Sequence, residues 1–221
     1  MSETHRIYLA TKIDRAWHWL HAVLILALIL TGFNIHFPQE FNVFGSFETA
    51  VKAHNFTGVL VSIDWGVWLI YNLTTRRIKY YLPNGEDLIK GVVKQARFYL
   101  YGIFKGEGHP FHTDEKRKFN PLQKWTYLAV MAFFMPFQII TGVVLLYLVP
   151  SGDALADSHL RLYSILHTLA AFALTAFVVG HIYLATTGHN PLSLFKFMIT
   201  GWHEAEPKPA EDKIKPTGDI K

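Results

Sequence analysis

LYSILHTLAAFALTAFVVGHIYLATT, residues 162–187, decides how the rest of the chain is read. It is long enough to cross a bilayer as an α-helix, which takes about 20 apolar residues. It carries no Asp, Glu, Lys or Arg, but it does carry His167 and His181. On a helix the interval between them corresponds to roughly 21 Å of axial rise and returns to within about 40° of the starting direction. The two imidazoles therefore share one side of the helix, one toward each surface of a hydrocarbon core ~30 Å thick. Two aligned imidazoles at two depths suggest two stacked metal centres, whose remaining ligands must come from elsewhere in the chain.

The composition agrees with a membrane class. Of 221 residues 51% are hydrophobic, and long charge-free blocks alternate with densely charged ones. There is no cysteine. That excludes disulfides, thiolate-held iron–sulfur clusters, haem attached through CxxCH and a cysteine nucleophile. An electron carrier here must be held by histidine or by non-covalent contacts. The formal charge of +4 comes with no nucleic-acid motif, so it is read by location.

Three further spans precede the quoted one. Residues 16–35, AWHWLHAVLILALILTGFNI, follow a basic lead and resemble a signal peptide. The run is of full membrane length and HFPQEF follows it in place of a small-residue cleavage site, so it reads as a retained helix, with Asp14 as its expected N-cap. Span two is about 52–74 and contains Asp64 mid-way; span three is about 122–149, with a kink expected at Pro136; span four is 162–187. PSGDALADSH reads as a short acidic turn before span four. The fold expected is an all-α, polytopic four-helix membrane bundle over residues 1–202. Residues 88–100 space Leu88, Val92, Val93, Ala96, Tyr99 and Leu100 at helical intervals among Lys90, Lys94 and Arg97, which predicts an amphipathic interfacial helix between spans two and three. Residues 203–221 are expected to be a disordered tail.

Charge sets the orientation. Of 21 Lys and Arg, three precede span one, eleven lie in 76–124 and five follow span four, leaving Lys52 and Arg161 on the opposite side. The positive-inside rule then places both termini and the amphipathic helix in the cytoplasm of a bacterial or archaeal cytoplasmic (inner) membrane. The outer loops are short, which suggests that they dock another protein.

Orientation gives each histidine a depth. His18 and His21 lie at the cytoplasmic end of span one, His54 at the outer end of span two, His167 toward the outside and His181 toward the inside of span four. His18 or His21 can pair with His181, and His54 with His167. Two bis-histidine sites result, one per leaflet. Haem b suits them, being planar, apolar and able to accept two axial imidazoles. Periodicity does not choose between His18 and His21. Gly58 and Gly180 adjoin these histidines and would let a porphyrin approach, although ordinary small-residue helix packing explains them equally well. Asp64 is costly at mid-depth unless protonated, paired or hydrated, with Asn72, a hydroxyl or water as candidate partners. His36 and His159 fall outside the spans, while His5, His109, His112, His189 and His203 are cytoplasmic.

KIDRAWHW at 12–19, VKAHNFTG at 51–58, NPLQKW at 120–125 and RLYSILHTLAAFALTAFVVGHIYLA at 161–185, in this order, resemble the di-haem cytochrome b subunits of respiratory formate dehydrogenase, the gamma subunits. Cytochromes b of thiosulfate reductase and nickel–iron hydrogenase are similar in kind. The resemblance covers roughly residues 12–202. It implies that His18, rather than His21, is the span-one ligand. It implies an inner haem b held by His18 and His181 and an outer one held by His54 and His167, these four being the metal ligands. It also implies a menaquinone or ubiquinone site near the inner haem, with Asn120 and Gln123 at matching positions beside His181. From the residues alone Asn120 could equally be an N-cap. Pro121 and Leu122 depart from the family pattern, which has small residues between the Asn and the Gln.

The function expected is electron transfer between the quinone pool and a periplasmic iron–sulfur or cytochrome c subunit with a catalytic subunit beyond it. No residue of this chain is assigned a catalytic role, and assembly into a higher oligomer is compatible with the resemblance. Alternatives are a quinol-oxidising anchor of a thiosulfate, tetrathionate, polysulfide or multihaem reductase, or of a nickel–iron hydrogenase. A cofactor-free anchor or a transporter ranks lower, the latter because no internal repeat is evident.

Overall fold

The structure, a computed structural model, describes residues 5–85, 88–111, 118–148, 154–188 and 190–205. His112, His189 and the expected disordered stretch 206–221 lie outside these. In chain order the elements are strand β1 (His5–Tyr8), helices α1 (Lys12–His36) and α2 (Phe47–Thr74), a 3-10 turn at Arg77–Tyr80, α3 (Ile89–Leu100) and a second 3-10 turn at Gly102–Lys105. There follow α4 (Pro121–Tyr127), a π-helical stretch Leu128–Phe134, α5 (Met135–Leu148), α6 (Ala154–Ala185), α7 (Ser193–Thr200) and strand β2 (Trp202–Ala205).

Four elements are long and apolar enough to cross a membrane: Lys12–His36, Phe47–Thr74, Pro121–Leu148 and Ser158–Ala185. Much of their apolar surface points outward, as at Val23, Ile70, Ile140 and Leu169, which suits lipid and not water. The four-helix membrane bundle expected from the sequence is therefore present.

Local chemistry sets the helix ends. α1 starts at Thr11, whose hydroxyl accepts from the Asp14 N–H at 3.2 Å while the Asp14 carboxylate accepts from the Thr11 N–H at 3.0 Å. Asp14 thus closes a capping box from inside the first turn and is not itself the N-cap. Ser46 caps α2 through Thr49. Asn120 caps α4 with Pro121 in the first turn, where a missing N–H costs nothing.

Pro136 acts through the turn before it. The Met135 N–H reaches back to the Val130 carbonyl, one residue further than in an α-helix. Pro136 has no N–H to continue that register, so the Met131 carbonyl loses its helical donor. The Trp65 indole N–H on α2 donates to it at 2.9 Å. The kink expected at Pro136 takes the form of this π segment, locked to the neighbouring helix.

α1 packs along α2, α5 packs along α6, and α2 meets α5 over a shorter stretch. The buried core of Leu24, Val61, Trp68, Met131 and Met135 joins α1, α2 and the third span; none of the described residues of α6 belongs to it. α6 is also the least buried of the four spans. A cavity of about 2090 Å³ runs through the bundle, lined from all four spans and from α7.

The chain ends differ from the all-α expectation. β1 pairs antiparallel with β2, His5 opposite Ala205 and Tyr8 opposite Trp202. The Leu9 N–H donates to the Gly201 carbonyl at 3.0 Å, Trp19 Nε1 to the Met198 carbonyl at 2.9 Å, and the Arg15 guanidinium to the Ile199 carbonyl. Gly201 ends α7 at φ 85°, and a Cβ there would sit 2.5 Å from the Ala10 carbonyl oxygen, so both conformation and space demand glycine. Both ends of the described chain thus meet at one end of the bundle, here termed the terminal end. Residues 203–205, assigned to the tail, belong to this sheet. The expected acidic turn before span four is helical from Ala154, a run rich in Ala and Leu, both good helix formers. A helix does form between spans two and three: α3 buries Gly91, Gln95 and Phe98 while leaving Ile89, Val93 and Leu100 exposed.

Candidate functional site: paired histidines between the helices

The helices bring the four histidines together as two pairs. His18 on α1 faces His181 on α6, ring centres 6.2 Å apart and planes at 52°. His54 on α2 faces His167 on α6, ring centres 6.3 Å apart and planes at 78°. The first pair lies toward the terminal end and the second toward the far end. All four line the cavity. α6 contributes one ring to each pair, and each opposing ring comes from a different helix of the first hairpin.

The spacing can be tested against a metal. An imidazole nitrogen bonds a metal at ~2.0–2.1 Å and lies about 1.2 Å from its ring centre, so two rings on opposite sides of one metal have centres about 6.5 Å apart. Both pairs meet this separation. A Cβ built on Gly58 or Gly180 would meet no described atom within 4 Å apart from its chain neighbours and its own helix backbone, and both glycines line the cavity. The cavity exceeds the ~300–1,000 Å³ of an ordinary ligand pocket. Among the described residues no cluster of three or more His, Cys, Asp or Glu could hold a bare ion. The donor set, two rings per site in an apolar, roomy channel, suits a planar macrocycle that brings its own equatorial ligands.

His21 is occupied elsewhere. Its Nδ1 lies 2.7 Å from Asp64 Oδ2, and its ring stacks on Trp17 with centres 4.8 Å apart. The Trp17 indole N–H donates to the Asp64 carbonyl at 3.3 Å. The partner of Asp64 is therefore His21 and not Asn72, whose amide donates to the Trp68 carbonyl at 2.9 Å. His18 and His21 are three residues apart and both border the cavity, but His18 meets His181 on α6 whereas His21 bonds Asp64 on α2.

The far pair has supports that the sequence reading did not single out. Thr31 Oγ1 lies 2.9 Å from His54 Nδ1, and Thr141 Oγ1 lies 2.8 Å from His167 Nδ1. Each threonine is followed by a glycine close to the same ring. A Cβ on Gly32 would meet His54 Cε1 at 3.6 Å, and one on Gly142 would meet His167 Cε1 at 3.2 Å. The available signal was weak: Thr-Gly stands at 31–32 in span one and 141–142 in span three, but also at 57–58 in span two and at three places from the end of span four onward.

Residues 10–201 match the family described as prokaryotic cytochrome b561. The chain belongs to this family. It is also similar to an Escherichia coli (strain K12) protein named "Putative cytochrome YdhU", 34% identical over 198 residues, covering 90% of this chain and 75% of that one. The protein is thus a multi-pass membrane cytochrome b with an electron-transfer role, and haem b is the cofactor typical of its kind.

In this cytochrome b, Asn120 and Gln123 form a reciprocal capping box. Asn120 Oδ1 accepts from the Gln123 N–H at 2.8 Å, and Gln123 Oε1 accepts from the Asn120 N–H at 3.0 Å. Asn120 Nδ2 donates to the Tyr99 hydroxyl at 3.4 Å. Burial pushes the Tyr99 phenol above its ordinary range, and its contacts with Asn120 and Gln95 pull the other way. Both residues line the cavity. The box engages Gln123 through its oxygen and leaves the amide NH₂ outside. Nearby, Lys118 donates to the Leu9 carbonyl at 2.8 Å and sits over the Tyr80 ring. Burial, and then Arg77, hold its ammonium below the usual lysine range. Arg77 is paired with Asp14. His109 lies outside the spans against Phe98 of α3, while at the other end of the bundle His36 packs against Phe37 and Phe172.

Proposed function

We propose that this cytochrome b is a di-haem subunit carrying electrons between a periplasmic redox subunit and the membrane quinone pool. The two histidine pairs at metal-spanning separation, both anchored on α6, carry the reading. Haem b, bound between such rings, supplies a one-electron carrier that changes redox state without leaving its site. His18 and His181 are the ligands toward the terminal end, and His54 and His167 those toward the far end. Each would offer an imidazole nitrogen to the haem iron, from the wall of a largely apolar cavity.

The charge distribution supports cytoplasmic termini, which makes the His18–His181 site the inner one and places α3 on the cytoplasmic surface. Asn120, Gln123 and His181 then line a quinone-binding region at the inner end, with Asn120 and Gln123 offering amide groups to a quinone oxygen. Menaquinone and ubiquinone both have the required carbonyls. The far end, with its short connection between α1 and α2, faces the periplasmic iron–sulfur or cytochrome c subunit. The assembly is read as most like the formate dehydrogenase type, and the same anchor suits thiosulfate, tetrathionate, polysulfide or multihaem reductases and nickel–iron hydrogenases.

The test is spectroscopic. A soluble quinol added to the purified protein should reduce haem b, with the α-band rising at a rate that depends on quinol concentration. A protein that contains haem b yet is reduced by dithionite and by no quinol would overturn the quinone assignment.

A further inference from the structure

The far histidine pair is held by two hydrogen bonds whose direction can be deduced. Thr31 and Thr141 are each 1% exposed. Thr31 Oγ1 lies 2.7 Å from the Ala27 carbonyl of its own helix, and Thr141 Oγ1 lies 2.8 Å from the Phe137 carbonyl. A carbonyl oxygen only accepts, and a hydroxyl has one proton to give. That proton therefore goes to the helix carbonyl. The hydroxyl then presents a lone pair to the imidazole, so Nδ1 of His54 and Nδ1 of His167 must be the protonated nitrogens. In each ring Nε2 is left with its lone pair free to bind a metal. The same device occurs on both sides of the pair, from α1 to α2 and from α5 to α6.

At the terminal pair His18 has no such support. His18 Nδ1 is buried and has no hydrogen-bond partner among the described residues. The two sites share the same residue type, and the threonine support found at the far pair has no counterpart behind His18 among the described residues.

We propose that Thr31 and Thr141 are positioning residues that fix the tautomer and tilt of His54 and His167 and hold the reduction potential of the far centre below the value it would have without them. An imidazole that donates through Nδ1–H is a more basic ligand and favours the oxidised metal. The inference rests on the assignment of the histidines as haem ligands.

Redox titration of the purified holoprotein, followed by α-band absorbance and electron paramagnetic resonance, tests it. The variants are Thr31→Val, Thr141→Val and the double, with Thr31→Ser and Thr141→Ser as rescues. His54→Ala and His18→Ala identify which centre is which. The valine variants should raise the midpoint potential of the centre that His54→Ala removes, or lose that haem selectively, while the other centre keeps its wild-type potential. Serine should return the far centre toward wild type. Two bound haems with unchanged potentials in the double valine variant overturn this inference and leave the ligand assignment standing. A shift confined to the terminal centre also overturns it. A wild-type protein without haem b overturns both.

Discussion

His21 Nδ1 lies 2.7 Å from Asp64 Oδ2, with only 15% and 5% of the two side chains exposed. This buried pair ties α1 to α2 one turn below His18, and Trp17 covers it on one side. Leaving one partner of a buried hydrogen bond unsatisfied costs about 1–3 kcal/mol. Asp64→Ala should therefore lower the thermal midpoint of the detergent-solubilised protein. The double variant His21→Leu, Asp64→Leu should recover part of that loss, because it leaves no orphaned polar group. Additive losses in the double variant would show that the pair is not coupled.

The glycines beside the far pair are not equivalent. A Cβ at Gly32 makes ordinary contact with His54, whereas one at Gly142 approaches His167 more closely than side chains normally do, at 3.2 Å. Gly142→Ala should tilt His167 and weaken haem retention at the far centre, with Gly32→Ala close to wild type. Haem content after size-exclusion chromatography reads this directly, and equal retention in both variants would refute the geometry.

Asn120 carries two assignments that one series separates. As the N-cap of α4 it should be worth about 1 kcal/mol, lost in Asn120→Ala and retained in Asn120→Ser. As a quinone contact it should matter in both variants, since serine caps the helix but lacks the amide. Quinol-dependent haem reduction is expected to slow several-fold in Asn120→Ser at unchanged thermal stability. Wild-type kinetics in Asn120→Ser would confine Asn120 to capping.

The spans and the histidine pairs were legible because membrane insertion and helical periodicity leave regular, residue-specific marks. A charge-free run of 26 residues admits few structures, and His167 and His181 on one face required partners at two depths. What stayed hidden depends on long-range contacts between unremarkable residues. Nothing local distinguishes His21 from His18; the choice follows from which helix each meets. The Trp65 bond to the Met131 carbonyl depends on the π register that Pro136 induces, and the strand at His5–Tyr8 exists only because Trp202–Ala205 lies beside it. The repeated Thr-Gly was present in the sequence, but without the geometry it reads as ordinary small-residue helix packing.

The central claim is that four histidines hold two haems, and counting haem tests it most directly. A pyridine haemochrome assay on the purified protein should give two haem b per chain. His18→Ala or His181→Ala should each give about one, His54→Ala or His167→Ala likewise, and His21→Ala should keep two. No haem b in the wild type, or two in both His167→Ala and His181→Ala, would contradict the account.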